Sequence, residues 1–332
     1  MTPGWYEALA AARAATPGCS PRDEVLRTGK TALFRYRPVA APAPAAPLLI
    51  VYALVNRPTM LDLQPDRSLI HALLAAGLDV YLLDWGYADG ADRFRGLADS
   101  VEDDLGRCIE HVLEAQGIEA LNRLGVCQGG VFALCHAALH PERVRNLITM
   151  VTPVDFQTPN DLLSKWVRGI DIEAWAGGGN VSGEILNQLF LALMPFRLTQ
   201  QKYVDLISQP PDAARAANFM RLEHWIFDSP DQPGRAFREF VVGCYQQNRL
   251  MRGELEIGGR RIDLTRLEQP ILNLFGKRDH LVPPESSAAL GRVVGSRDYS
   301  ARELDLGHIG MYVSARAQRE VPAAIAGWLA TR

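Results

Sequence analysis

Residues 121–139 pass from a strand-like stretch into a helix-like one through a single cysteine, with no loop between them. Leu121-Asn-Arg-Leu-Gly-Val126 reads as a strand, and Gly129–Leu139 as a helix stopped by Pro141. Gly125 and Gly129 flank Cys127 by two residues on either side. A chain that turns this sharply from strand to helix is strained, and close backbone approach at the turn demands glycine. Such a turn belongs at the carboxyl end of a parallel sheet, where open α/β sheets bind ligands. It also sets the cysteine before a helix N-terminus, whose N–H groups and dipole favour negative charge. The competing reading is a buried structural cysteine between two chance glycines. The strand before it and the helix after it argue against that.

The rest of the chain supplies a sheet for this turn. Leu48-Leu-Ile-Val-Tyr-Ala-Leu-Val55 is wholly apolar, as a buried parallel strand is. Asp79–Trp85 and Val144–Val151 read as further strands, and Thr31–Pro38 alternates like a half-exposed one. Asp66–Ala76 and Ser100–Gln116 have helical periodicity and stop at Gly77 and Gly117. This alternation predicts an α/β fold with a mostly parallel sheet flanked by helices on both faces. The rhythm fails from about Asp155 to Asp263, a stretch rich in aromatics such as Trp166, Trp175, Phe190 and Trp225. It returns with a strand at Pro270–Phe275, a helix at Pro284–Val294, a strand at Tyr299–Leu306 and a helix at Ala317–Ala330. The expected organisation is a helical N-terminal segment over 1–30, a core made of 31–154 and 264–332, and an inserted, mostly helical cap over 155–263.

A net charge of -3 over 332 residues gives no reason to expect nucleic acid or an anionic membrane as a partner. The five cysteines are odd in number and include no CxxC pair, which argues against a disulfide framework or a zinc site and for a reducing compartment. The N-terminus has no basic start followed by an apolar core, and no apolar run is long enough for a bilayer. A cytoplasmic protein without metal or cofactor is expected.

The turn around Cys127 matches the G-x-S-x-G nucleophile elbow of α/β-hydrolase folds, with sulfur in place of oxygen. That elbow predicts an acid and then a histidine, each in a loop after a later strand. Asp279 follows the strand ending at Phe275, and His308 follows the strand ending at Leu306. His308 would take the thiol proton and Asp279 would orient the imidazole. Asp298 and Asp305 are weaker acids, one lying before its strand and the other only three residues from His308. His71, His111, His136, His140 and His224 sit on helical stretches and read as surface or packing residues; His280, beside Asp279, is a possible substrate-binding residue. The oxyanion hole should pair the N–H of Gln128 with one from the loop after the first core strand, Val55 first and Asn56 next. Asn56 is also a substrate-binding candidate. A thiolate is a strong nucleophile at neutral pH, and its attack on a thioester is nearly balanced in energy, so cysteine fits an acyltransferase using acyl-CoA. It fits a cysteine hydrolase too.

From about Thr31 onward the chain resembles the catalytic subunits of class III polyhydroxyalkanoate synthases. The resemblance rests on Leu48–Pro58, Asp62–Arg67, Asp79–Gly86, Gly125-Val-Cys-Gln-Gly-Gly130, Val151–Phe156, Trp225–Gln232, Asp279-His-Leu-Val-Pro-Pro284 and Gly307-His-Ile-Gly310. It implies an α/β-hydrolase fold whose mobile cap can cover the site. It implies polymerisation of (R)-3-hydroxyacyl-CoA, mainly 3-hydroxybutyryl-CoA, into polyester with release of CoA. The family's nucleophile, base and acid fall on Cys127, His308 and Asp279, with either His308 or Asp279 activating the 3-hydroxyl of the incoming unit. The accessory subunit PhaE, a homodimer or larger assembly, and the surface of the polymer granule are implied as partners and place. The short Ala-rich N-terminus departs from the family pattern. The rivals are a cysteine-dependent thioesterase, esterase or polyester depolymerase, a class IV synthase with a different accessory protein, and a non-enzymatic granule coat. Gln128 and the Val51–Val55 run favour class III, and the complete Cys, Asp and His set argues against a coat protein.

Overall fold

The apolar runs of the sequence pair side by side into one eight-stranded sheet. The computed structural model describes residues 18–41, 45–195, 200–204 and 213–332. We number the sheet strands β1 (Arg22–Thr28), β2 (Thr31–Tyr36), β3 (Leu48–Val51), β4 (Val80–Asp84), β5 (Leu121–Val126), β6 (Val144–Met150), β7 (Ile271–Gly276) and β8 (Tyr299–Leu304). Their order across the sheet is β1-β2-β4-β3-β5-β6-β7-β8. Every pairing from β4 to β8 is parallel, while β1–β2 and β2–β4 are antiparallel. The central strands β3, β4, β5 and β7 are buried at every residue, as apolar parallel strands covered on both faces must be.

Helices close both faces. Leu105–Gln116 and the helix after Cys127, Gln128–Leu139, pack Leu105, Ile109, Val112, Phe132 and Leu134 against one side. Leu69–Ala75 and Ala317–Leu329 pack Ile70, Leu73, Val321 and Ile325 against the other. Leu105–Gln116 ends where the sequence expects, at Gly117 in the left-handed region.

The largest differences from expectation lie at three boundaries. Residues 22–28, inside the segment expected to be helical, form the edge strand β1, while residues 1–17 lie outside the described residues. The strand carries Arg22, Asp23 and Glu24 with a bulge between Glu24 and Leu26, so it shows no clean alternation. β3 stops at Val51, not Val55. A Cβ on Gly129 would lie 2.3 Å from the Val51 carbonyl oxygen and 2.4 Å from that of Tyr52, so the helix after Cys127 comes in there and the chain leaves the sheet. The stretch expected to be a cap also ends earlier than its expected limit at 263, because Leu250, Leu255, Ile257 and Ile262 already belong to the main core.

Between Asp155 and that point the described residues are mostly helical, with helices at Leu162–Val167, Ile172–Ala176, Gly183–Ala192, Ala213–Phe227, Gly234–Phe240 and Arg249–Arg252. It has a small apolar cluster of its own, including Leu163, Val167, Ile172, Leu186 and Val241. It is also tied to the core: Trp225 sits in the cluster beneath the elbow, and Phe240 and Cys244 join the opposite one. Among the described residues, no helix is long and apolar enough to cross a membrane.

Candidate active site

Strand register brings the functional loops together. Val51 of β3 lies opposite Gly125 of β5, Gly125 opposite Thr149 of β6, and Met150 of β6 opposite Leu274 of β7. The carboxyl ends of these strands therefore share one edge, and Cys127, the 52–57 loop and Asp279 all leave the sheet there.

Cys127 has φ 53 and ψ -126, a strained conformation for a residue with a side chain. The surrounding structure enforces it. The Cys127 N–H donates to the Met150 carbonyl at 2.9 Å. The neighbouring glycines leave no room for relaxation. A Cβ on Gly125 would lie 2.5 Å from Gly130 Cα, and one on Gly130 would lie 1.9 Å from Thr152 Oγ1. Cys127 is half-buried on the apolar cluster that also holds Val55, Leu222, Ile226, Ile309 and Val313.

Asp279 and His308 meet across the ends of β7 and β8. The loops can close on one another because Gly276 has no side chain; a Cβ there would lie 2.6 Å from the Leu306 carbonyl oxygen. His308 Nδ1 lies 2.7 Å from Asp279 Oδ2, and both residues are buried. Asp279 Oδ1 accepts from the N–H groups of Leu281 and Val282, each at 2.9 Å. The carboxylate is thus fixed by three hydrogen bonds. Burial pushes the His308 imidazole down, but the Asp279 charge and hydrogen bond, joined by hydrogen bonding and charge from Cys127, lift it to about 10. Cys127, His308 and Asp279 are therefore in one interacting set. Asp298 instead pairs with Arg332 at 2.7 Å and Asp305 with Arg278 at 2.9 Å, both at the surface. Of the other histidines, His136 lies buried on the helix after Cys127, 3.0 Å from Arg123.

The expected oxyanion residues are clamped. Gln128 begins the helix, and its side-chain Oε1 accepts from the Leu54 N–H at 3.1 Å. Gln232 of the cap donates to the Leu54 carbonyl at 2.9 Å. Val55, next in the loop, is half-buried. Asn56 has φ 60, and its amide donates to the carbonyls of Trp225 and Ile226 at 3.4 and 3.3 Å. Its side chain holds the end of a cap helix over the loop. Trp225 returns the contact, its Nε1–H donating to the Arg57 carbonyl at 2.6 Å. His280 is half-buried beside Asp279.

Three tyrosines complete the surroundings, and sequence reasoning missed all of them. The Tyr312 hydroxyl lies 3.2 Å from His308 Nε2, with the two rings edge to face. Burial raises the phenols of Tyr52, Tyr245 and Tyr312 well above their ordinary value, and the Cys127 sulfur adds to each. Only Tyr312 had a signal to find, its four-residue spacing from His308 at the start of a helix. Tyr245 comes from the cap through the fold alone.

Residues 46–314 match the family model of the α/β hydrolase fold. Solved structures share that fold at low identity. The monoacylglycerol lipase of Paleococcus ferrophilus has a TM-score of 0.51 at 18% identity, over 90% of this chain and 98% of its own. The enol-lactonase of Burkholderia xenovorans has a TM-score of 0.53 at 15% identity, over 94% and 100%. Sequence relatives are much nearer. The poly(3-hydroxyalkanoate) polymerase subunit PhaC of Allochromatium vinosum is 51% identical over 98% of this chain and 93% of its own. Its counterpart from Thiocystis violacea is 48% identical over 98% and 92%, and that of a Synechocystis strain 46% identical over 95% and 85%. The chain belongs to the family of poly(3-hydroxyalkanoate) polymerase subunits PhaC, built on the α/β hydrolase fold.

Proposed function

We propose that this chain polymerises (R)-3-hydroxyacyl-CoA into polyhydroxyalkanoate through an acyl-enzyme on Cys127. The observation that carries the reading is the strained Cys127 elbow electrostatically joined to a histidine whose other nitrogen lies 2.7 Å from the buried Asp279 carboxylate. His308 takes the thiol proton, helped by the lift that Asp279 gives its imidazole. The Cys127 thiolate attacks the thioester carbonyl, CoA leaves with the proton that His308 took from Cys127, the acyl group stays on sulfur, and the imidazole is free to act as a base again. The N–H groups of Gln128 and Val55 face the developing oxyanion, with the Val55 loop set by the Gln128 and Gln232 side chains. The 3-hydroxyl of the next unit then attacks the Cys127 thioester, making an ester and freeing the sulfur. Thioester exchange needs no metal and no cofactor. Asn56 and His280 are the candidate substrate-binding residues beside this set. Residues 155 to about 250 act as the cap.

The same reading has this chain work as a catalytic subunit beside an accessory PhaE subunit, as a homodimer or larger assembly at the granule surface. Its support is that the relatives are named as subunits of a polymerase. The test is incubation with 3-hydroxybutyryl-CoA, with and without the accessory subunit. CoA release together with insoluble polymer is expected. CoA release matched by free 3-hydroxybutyrate would make the chain a hydrolase. Cys127→Ala should abolish both CoA release and the acyl adduct seen by mass spectrometry; a variant releasing CoA at the wild-type rate would remove Cys127 from its role.

A further inference from the structure

Polymerisation asks the same imidazole to deal with two different protons. To acylate the enzyme, His308 takes the proton of Cys127. To lengthen the chain, the proton of the incoming 3-hydroxyl must leave while that oxygen attacks the carbonyl carbon held on Cys127. The attacking oxygen cannot occupy the place of the sulfur, because the carbon lies between them. A second position beside Nε2, displaced from the sulfur, is therefore needed.

Tyr312 occupies such a position. Its hydroxyl is 3.2 Å from His308 Nε2, while Nδ1 is held by Asp279 on the opposite side of the ring. The tyrosine is 1% exposed. Its ring meets His308 edge to face at 5.6 Å and Tyr52 at 6.4 Å, so it is fixed on two sides. The phenol stays protonated, because burial first and then Tyr52, Cys127 and Asp279 all oppose its ionisation. A neutral phenol can donate to Nε2 and accept from a substrate hydroxyl at the same time. Acylation also alters His308 in the useful direction. Part of what lifts its imidazole is the Cys127 sulfur, and that part disappears once the sulfur carries an acyl group.

We propose that Tyr312 is a further catalytic residue, the relay through which the incoming 3-hydroxyl gives up its proton during chain growth. The inference rests on the acyl-enzyme reading above. As the hydroxyl oxygen forms its bond to the thioester carbon, its O–H bond breaks and the proton passes to the Tyr312 oxygen. The proton of Tyr312 passes at the same time to His308 Nε2. The tetrahedral intermediate then collapses, the C–S bond breaks, and sulfur leaves with the bonding pair. It takes the proton back from the imidazolium or stays paired with it. Thioester and alcohol become ester and thiol, and Tyr312 is unchanged.

Two substrates separate the steps. Butyryl-CoA, which lacks the 3-hydroxyl, reports acylation of Cys127 as a burst of CoA. 3-Hydroxybutyryl-CoA reports elongation as steady CoA release with polymer. In Tyr312→Phe, elongation should fall at least tenfold further than the burst rate. An equal fall in both would reduce Tyr312 to a support for His308, and an undiminished elongation rate would remove it from the reaction. A second measurement needs no variant. Elongation by the wild-type enzyme in mixtures of light and heavy water should depend on deuterium content along a curve, as two protons moving together require; a straight line overturns the relay. Absence of any burst, or of acyl adduct on Cys127, would instead bring down the acyl-enzyme reading.

Discussion

Asp279→Asn keeps the shape of the site while changing one charge and the sense of one hydrogen bond. An asparagine oxygen can still accept from the N–H groups of Leu281 and Val282, now 2.9 Å from Asp279 Oδ1. Its NH2 would then face His308 Nδ1, 2.7 Å from the present Oδ2. His308 must answer with a lone pair at Nδ1, which puts the proton on Nε2, the nitrogen that has to accept from Cys127. The same tautomer error in a Ser-His-Asp protease costs about 10⁴ in kcat, and a thiol needs less help from its base, so CoA release should fall by about 10²–10⁴-fold. Stability changes in a pH-dependent way. Asp279 helps lift the imidazole from 6.5 to about 10 against burial, a shift worth at most about 5 kcal/mol. Because the folded-state value is raised, this contribution is fully present below pH 6.5 and is lost as pH rises through 10. Denaturant unfolding at pH 6 should show the wild type more stable than the variant by about 2–5 kcal/mol. The gap should close towards pH 10. A gap constant across that range, or CoA release within a few-fold of wild type, would refute this account of the pair.

Two further substitutions test the scaffold. Gly129→Ala would set a Cβ 2.3 Å from the Val51 carbonyl oxygen and 2.4 Å from the Tyr52 carbonyl, both backbone atoms that cannot swing away. It should cost about 3 kcal/mol or more in denaturant unfolding; a loss under 1 kcal/mol would mean that the elbow is not packed so tightly. Asn56→Gly tolerates the positive φ but removes the amide bonded to the Trp225 and Ile226 carbonyls, and should cost about 1–2 kcal/mol. Amide hydrogen exchange should quicken at residues 222–228, and unchanged protection there would show that the amide does not hold the cap. Asn56→Ala should lose about 1 kcal/mol more, for the strain of φ 60.

What was legible in the sequence follows the physics of each segment. β5 and the helix after Cys127 match the expected Leu121–Val126 and Gly129–Leu139 to within one residue, because an apolar strand, a glycine-flanked turn and a Pro stop all mark them. The meeting of Asp279 with His308 was legible because an elbow of this kind leads one to expect an acid and a histidine in loops after two later strands. β1 was not, since an edge strand with charges on both faces has no period to read. The end of β3 was hidden for a different reason. Its apolar run continues to Val55, and only the arrival of Gly129 cuts the pairing at Val51. The helix expected over Pro284–Val294 tightens after Ala288 into a turn that contains Gly291 and ends at Arg292. Tyr245 and Gln232 reach the site from the cap, and no local pattern encodes where an inserted segment folds back.

If the proposed acyl-enzyme forms, the polar groups around Cys127 bear on why it should pass its acyl group to an alcohol and not to water. Water is far more abundant than any substrate hydroxyl, so the site has to deny water a place. An ordered water needs a roomy polar site and two to four partners. Around this sulfur, Asp279 is fully engaged by His308, Leu281 and Val282. The Gln128 side-chain oxygen is taken by Leu54, and the Asn56 amide by the cap. Val55, Leu222, Ile226, Ile309 and Val313 offer apolar surface on the same cluster as the sulfur. With the Gln128 and Val55 N–H groups given to the acyl oxygen in the proposed mechanism, the Tyr312 hydroxyl and His308 Nε2, bonded to each other at 3.2 Å, are a pair placed to receive a newcomer, and such a pair holds a lone water poorly. A 3-hydroxyl arrives attached to an acyl chain and CoA, whose own contacts keep it there, so it does not depend on those partners to stay. Discrimination between polymer and free acid then rests on what fixes the attacking oxygen. Loosening the cap by Asn56→Gly should raise free 3-hydroxybutyrate relative to polymer even where total CoA release is preserved. A product ratio indifferent to the cap would mean that water is kept out by something other than this arrangement.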